Sequence, residues 1–166
     1  MFVTDAVTAL STLQIQALAT RQVTALSTGD VGVLSTDQLN ALSSAQVSAL
    51  STAQVASLGS VASMPLSALQ TSRVAVLSTS AVAGLSSTQI AGLSSSQVGA
   101  LTSTQVGVLS TGQVVAIETN DLGALKTSAI TALTTNAVAA LTTQQIKALT
   151  TGQVYALTTA QVHALT

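Results

Sequence analysis

Leucine recurs every eighth residue from Leu10 to Leu58. After a slip of three residues it recurs again from Leu69 to Leu165, with Ile117 as the one replacement in that run. Between the leucines the order of polar and apolar side chains hardly changes. With Leu as position 1 the repeat reads L-S/T-T-x-Q-V-x-A. Octads fill residues 2–65 and 69–164, twenty in all. Position 1 is Leu in 18 of the 20, position 3 is Ser or Thr in all 20, position 6 is Val or Ile in 17, position 8 is Ala in 13 and position 5 is Gln in 12. Positions 4 and 7 vary freely, holding Asp5, Arg21, Gly29, Asn120, Lys147, Tyr155 and His163 among others. Positions that vary between copies within one chain are expected to face solvent, and the constant ones to be packed or hydrogen-bonded.

A single continuous helix cannot satisfy this spacing. Eight residues turn an α-helix through about 800°, so each Leu would drift about 80° from the last and the apolar row would spiral around the rod. The chain must therefore turn once per octad. A short helix in each octad places positions 5, 6, 8 and the following 1 on one face and leaves 4 and 7 outside. Ala, Leu and Gln are good helix formers. A hydroxyl that begins each helix accepts a hydrogen bond from an otherwise orphaned backbone N–H, an interaction of about 1 kcal/mol. Position 2 is Ser or Thr in many octads and stands three residues before Gln, the spacing of a capping box. It also tolerates Ala19, Glu118 and Lys126, whereas position 3 is always a hydroxyl. The N-cap row is accordingly assigned to Thr12, Thr20, Thr28, Thr36, Thr52, Thr111, Thr135, Thr143, Thr151 and Thr159.

The alternative is a β-solenoid, since Val and Thr suit strands and stacked Gln and Thr ladders occur in cross-β packing. One octad is too short for a complete β-coil, and the adjacent apolar positions 8 and 1 break strict alternation. The expected fold is thus all-α: a solenoid with one helix plus turn per octad. A lone octad cannot fold, because burying one Leu and one Val contributes less than the ordering of eight residues costs. The repeats must stack on one another. The core is expected to comprise Leu18, Leu26, Leu34, Leu42, Leu50, Leu101, Leu109, Leu133, Leu141 and Leu149 with Val23, Val47, Val55, Val98, Val106, Val138 and Val154. A single solenoid is expected over residues 1–166, interrupted by an irregular insertion near 58–68 that holds the one Pro, Pro65. The array stops two residues into a new octad without a capping unit, as a piece of a longer array would.

Composition narrows the chemistry. Of the 166 residues 48% are hydrophobic, 5% charged and 1% aromatic, against about 25% charged in an ordinary soluble domain. Four basic and five acidic residues give a net charge of −1, so neither nucleic acid nor an anionic membrane surface has a basic face to meet. The mean hydropathy is +0.62, yet Ser or Thr interrupts every apolar run, and no stretch of about 18 apolar residues exists to span a membrane. The chain has no cysteine and one histidine, His163. No catalytic residue, cofactor site or metal site is expected, and the protein is read as no enzyme. Tyr155 and Lys147 precede His163 at position 7 and together with it form a candidate surface column. Glu118, Asn120 and Asp121 offer oxygens to a cation, though calcium sites usually recruit more carboxylates.

Runs such as Leu149-Thr150-Thr151-Gly152-Gln153-Val154-Tyr155-Ala156 resemble the octapeptide tracts of very large repetitive Gram-negative bacterial proteins described as adhesin-like or haem-utilisation-like. The resemblance spans nearly the whole chain and carries over no site residue. It implies an extracellular or cell-surface location, export without an N-terminal signal, and a stalk or scaffold role. The leading expectation is a structural array, either a rigid spacer or a fibre-forming segment. Low charge also favours self-association, end-to-end or lateral, because few like charges repel neighbouring copies. An ice- or surface-binding solenoid presenting Ser/Thr rows, and a helical-repeat scaffold for a protein ligand, are the alternatives.

Overall fold

The computed structural model describes residues 4–58, 66 and 69–165, the side chains of Thr4 and Asp5 excepted. Apart from Leu58 and Leu66, the irregular segment around Pro65 lies outside these residues. The described residues form nineteen short α-helices and no strand. In chain order these are α1 (Thr4–Thr8), α2 (Thr12–Ala17), α3 (Thr20–Thr24), α4 (Thr28–Gly32), α5 (Thr36–Ala41), α6 (Ser44–Ser48), α7 (Thr52–Ser57), α8 (Thr71–Val74), α9 (Thr79–Ala83), α10 (Ser87–Ala91), α11 (Ser95–Ala100), α12 (Ser103–Gly107), α13 (Thr111–Ala116), α14 (Thr119–Leu122), α15 (Thr127–Ile130), α16 (Thr135–Ala139), α17 (Thr143–Ala148), α18 (Thr151–Ala156) and α19 (Thr159–Ala164). They divide into two compact units, residues 1–85 and 86–166, and each unit is a solenoid of short helices.

Between α2 and α3 the chain turns through two extended residues, Leu18 and Ala19. In α2 the helix ends at Leu18 (φ −61°, ψ 132°), whose N–H donates to the Ile15 carbonyl, and Ser11 ahead of it is extended at φ −67°, ψ 161°. Position 2 is thus the N-cap and position 3 is the first helical residue. This corrects the assignment of the caps to Thr12, Thr20, Thr28, Thr36, Thr52, Thr111, Thr135, Thr143, Thr151 and Thr159, all of which begin their helices and are exposed. An N-cap must itself stay out of helical conformation for its hydroxyl to reach the N–H at N2 or N3, and only position 2 does so. Fourteen position-2 hydroxyls accept such a bond, from Ser11 to Thr158. Glu118 and Lys126 cap by backbone conformation alone, so tolerance of a non-hydroxyl residue there was a misleading guide. The position-3 side chains approach the coil above instead: a Cβ added at Gly152 would lie 3.8 Å from Thr127 Cγ2.

Helices stack three octads apart. In the first unit α1 packs on α4, α2 on α5, α3 on α6 and α4 on α7. In the second, each helix from α10 to α16 packs on the helix three further along. The interior is built from positions 6 and 1, one helical turn apart. Val23, Val47, Val55, Val98, Val106 and Val138 are at most 1% exposed, and Leu26, Leu34, Leu42, Leu50, Leu101, Leu109, Leu133 and Leu141 are buried. Leu18 and Leu149 are only half-buried. Val154, placed in the core by its position, is 51% exposed. The reason is that position 6 is covered by the coil three octads further along: Val7, Ile15 and Val23 are fully buried where α4, α5 and α6 pack on their helices, whereas among the described residues no helix packs three octads beyond α17, α18 or α19.

Candidate functional site

No concentration of reactive groups stands out among the described residues, and no three His, Asp or Glu side chains cluster as metal ligands would. No described helix is long and apolar enough to cross a membrane. Glu118 and Asn120 line a shallow open groove with Val115, Ile117, Thr142 and Gln145. Asp121 turns away from it, buried, and accepts a hydrogen bond from the Ser95 hydroxyl. The three oxygens considered for a cation therefore do not converge. Lys147, Tyr155 and His163 are exposed on α17, α18 and α19. Because stacking runs three helices apart, they follow one another around a coil rather than lining up as a column along the axis.

The arrangement that does recur is made by position 5. Gln at this position is helix residue N3, and its Oε1 accepts from the position-2 N–H, closing the capping box. The distance is 2.8 Å from Ser35 to Gln38 and 2.8 Å from Thr150 to Gln153. That leaves Nε2 with two hydrogens, and the amide points across the coil interface. Gln38 Nε2 donates to the carbonyls of Val7 (3.0 Å) and Leu10 (2.7 Å). Gln46 donates to Ile15 (3.2 Å) and Leu18 (2.7 Å), and Gln54 to Val23 (3.1 Å) and Leu26 (2.8 Å). In the second unit Gln145 reaches Val114 and Ile117, Gln153 reaches Leu122 and Leu125, and Gln161 reaches Ile130 and Leu133, all at 2.7–3.1 Å. Each pair of acceptors lies 31 and 28 residues earlier, at positions 6 and 1. Both carbonyls lie at a helix C-terminus: that of position 6 already accepts from the position-1 N–H, as Ile15 does from Leu18, and that of position 1 has no partner within its own helix. A single side chain thus satisfies the start of its own helix and the end of one in the preceding coil.

This fixes the coil. Helices stack three octads apart, while the amides reach the junction between the octads three and four earlier, so one superhelical turn spans between three and four octads. Gln38, Gln46, Gln54, Gln145, Gln153 and Gln161 are at most 5% exposed. The sequence places position 5 on the inner face, but the partners of its amide lie about thirty residues away, beyond any local spacing. A polar residue kept at an apolar-face position in 12 of 20 octads was the available signal.

Octads without Gln build a different interface. Asp121, Ala129 and Ala137 occupy position 5 of α14, α15 and α16. There the coils approach more closely. A Cβ added at Gly99 would meet the Ala124 carbonyl oxygen at 2.9 Å, and one at Gly107 would meet that of Ala132 at 3.2 Å. Asp30 keeps the capping contact, accepting from the Ser27 N–H at 2.9 Å, but a carboxylate has no hydrogen to donate across a coil. Its Oδ1 is buried without a hydrogen-bond partner among the described residues.

Comparison with known proteins agrees with this repeating unit. The ALTTAQ repeat matches residues 23–60, 83–111, 114–151 and 138–166, together more than two-thirds of the chain. Its six letters stand in the sequence as Ala156-Leu157-Thr158-Thr159-Ala160-Gln161, from position 8 through the cap to the clamping glutamine. No curated protein and no solved structure matches the chain.

Proposed function

This chain belongs to the ALTTAQ repeat family, and from that membership we propose that it is a non-enzymatic structural array, a rigid spacer or stalk segment of a bacterial surface or secreted protein. The observation that carries the reading is the glutamine clamp, which Gln38, Gln46, Gln54, Gln145, Gln153 and Gln161 each make to the same two carbonyl positions. A spacer needs coils that repeat one geometry, and hydrogen bonds to fixed backbone acceptors hold register more tightly than apolar contact alone, which is non-directional. The poverty of ionisable side chains, one His and no Cys among them, suits a part that performs no chemistry.

Two measurements test this. Spin labels at exposed Thr88 and Tyr155, both in the second unit, are expected to give one narrow distance distribution. A broad distribution in the folded protein would exclude a rigid spacer. Antibody labelling and protease shaving of intact bacterial cells producing the protein should reach it; labelling only after lysis would remove the surface assignment.

A second reading gains from the capping correction. With position 2 supplying the caps, the hydroxyls and methyls of Thr111, Thr135, Thr143, Thr151 and Thr159 are exposed, and such rows suit an ice or crystalline surface. Inhibition of ice recrystallisation is the result that would favour it over the spacer.

A further inference from the structure

We propose that the boundary between α11–α13 and α14–α16 is a built-in yield point, where the second unit opens first when the array is loaded or destabilised, the coils on either side staying folded. The inference rests on the structural-array reading above and adds the place at which such an array gives way. Three octads in succession lack the clamp here. Asp121, Ala129 and Ala137 hold position 5 of α14, α15 and α16, and these helices pack on α11, α12 and α13. Three octads make up most of one superhelical turn, so the missing amides run along nearly a whole boundary between coils.

The next boundary along the chain supplies the comparison. There Gln145, Gln153 and Gln161 donate to the carbonyls of Ile117, Leu125 and Leu133 at 2.7–2.9 Å. At the unclamped boundary the equivalent carbonyls belong to Leu93, Leu101 and Leu109. These residues are at most 3% exposed, and their carbonyls accept no hydrogen bond among the described residues. Closed, the boundary holds three buried acceptors without donors, and opening returns them to water. Opening the clamped boundary instead breaks amide bonds already made. An unsatisfied buried polar group costs more than a made hydrogen bond contributes net, so both terms favour opening at the unclamped boundary. Apolar burial does not separate the two, since Val106 and Leu122 are fully buried alike. The unclamped coils are held by that burial, by the close approach of Gly99 to Ala124 and Gly107 to Ala132, and by a hydrogen bond from the Ser95 hydroxyl to Asp121. The chain runs from α13 into α14 through Ile117 and Glu118, so separated coils remain joined and the array lengthens.

The test is native-state thiol labelling of the full chain. The sequence has no cysteine, so one introduced Cys reports alone. Val106→Cys places the thiol at position 6 of α12, beneath α15 across the unclamped boundary. Leu122→Cys places it at the same position of α14, beneath α17 across the clamped one. Circular dichroism and urea denaturation establish that each variant folds. Val106→Cys is expected to react about tenfold faster than Leu122→Cys. Its labelling should also depend less steeply on urea than global unfolding does, because a local opening exposes less surface. Adding Ala129→Gln and Ala137→Gln to Val106→Cys supplies amides for the Leu101 and Leu109 carbonyls and should slow the labelling by a similar factor. Equal rates at the two sites, faster reaction at Leu122→Cys, or the full urea dependence of global unfolding at Val106→Cys overturns the inference. So does a folded glutamine variant that labels as fast as before. The open state is a rare excursion of the folded chain, so the distance between labels at Thr88 and Tyr155 stays narrow. A broad distribution removes the spacer, whereas equal labelling removes the yield point alone.

Discussion

Gln153 of α18 donates its amide N–H to the carbonyl of Leu125, 28 residues earlier, at 2.7 Å. The same amide reaches Leu122 at 3.0 Å while its oxygen accepts from the Thr150 N–H at 2.8 Å. A side chain that is 1% exposed therefore has all its hydrogen-bonding capacity directed at backbone. Burying an amide is costly unless it is paired in this way.

Removing that side chain should cost more than its loss of packing. Gln153→Ala leaves the buried Leu125 carbonyl without its donor, while the Leu122 carbonyl keeps the Leu125 N–H at 3.2 Å, and an unsatisfied buried polar group costs roughly 1–3 kcal/mol. Gln14→Ala removes only an exposed capping contact and should cost under about 1 kcal/mol. Urea denaturation followed by circular dichroism compares them. Equal shifts of the midpoint would mean that the cross-coil bonds contribute nothing.

Gln153→Glu should make stability depend on pH with a defined sign. Ionised, the carboxyl would face the Leu122 and Leu125 carbonyls with no hydrogen to donate. Its folded-state pKa is therefore raised above the unfolded value of about 4.3. Below that value the protonated carboxyl can replace the amide as a donor, and stability should lie near wild type. Stability is then lost as the pH rises through the folded-state pKa. The difference in urea midpoint between variant and wild type should be small at acidic pH and widen towards neutrality; a difference independent of pH would contradict the geometry.

Capping is separable by a pair of neighbouring substitutions in one helix. Ser110 accepts from the Gln113 N–H at 3.3 Å and is the N-cap of α13, while Thr111 beside it is exposed at the first helical position. Ser110→Ala is expected to cost about 1 kcal/mol. Thr111→Ala should fall within about 0.5 kcal/mol of wild type, as exposed substitutions usually do. Thermal melts of the two variants decide the matter, and the reverse ranking would restore position 3 as the cap.

Glycine marks where coils approach. In Gly99→Ala the new methyl would lie 2.9 Å from the Ala124 carbonyl oxygen, and forcing the coils apart should cost about 1–3 kcal/mol. At Gly92 the nearest atom to an added Cβ is the Thr88 oxygen at 3.5 Å, with φ at −81°. Gly92→Ala should therefore stabilise, by about 0.4–1 kcal/mol, through the lost freedom of the unfolded chain. Opposite signs in a calorimetric comparison are the expected result.

The octad period by itself determined that the chain turns every eight residues and that Leu and Val line the interior; together with helix propensity it favoured a short helix over a strand in each repeat, which the structure shows. Periodicity and helix geometry are local, and they are written in the order of the residues. The structure decided which hydroxyl caps the helix, because the sequence pointed both ways: the S/T-x-x-Q spacing favoured position 2 and the constant hydroxyl favoured position 3, and the extended backbone at position 2 settles it. It alone showed Val154 exposed, since burial at position 6 is conferred by a neighbouring coil and not by the octad. Above all, it decided the size of the coil. That follows from Gln38 finding Leu10 and Gln161 finding Leu133, and a hydrogen bond across 28 residues is set by how coils pack, which no eight-residue pattern encodes.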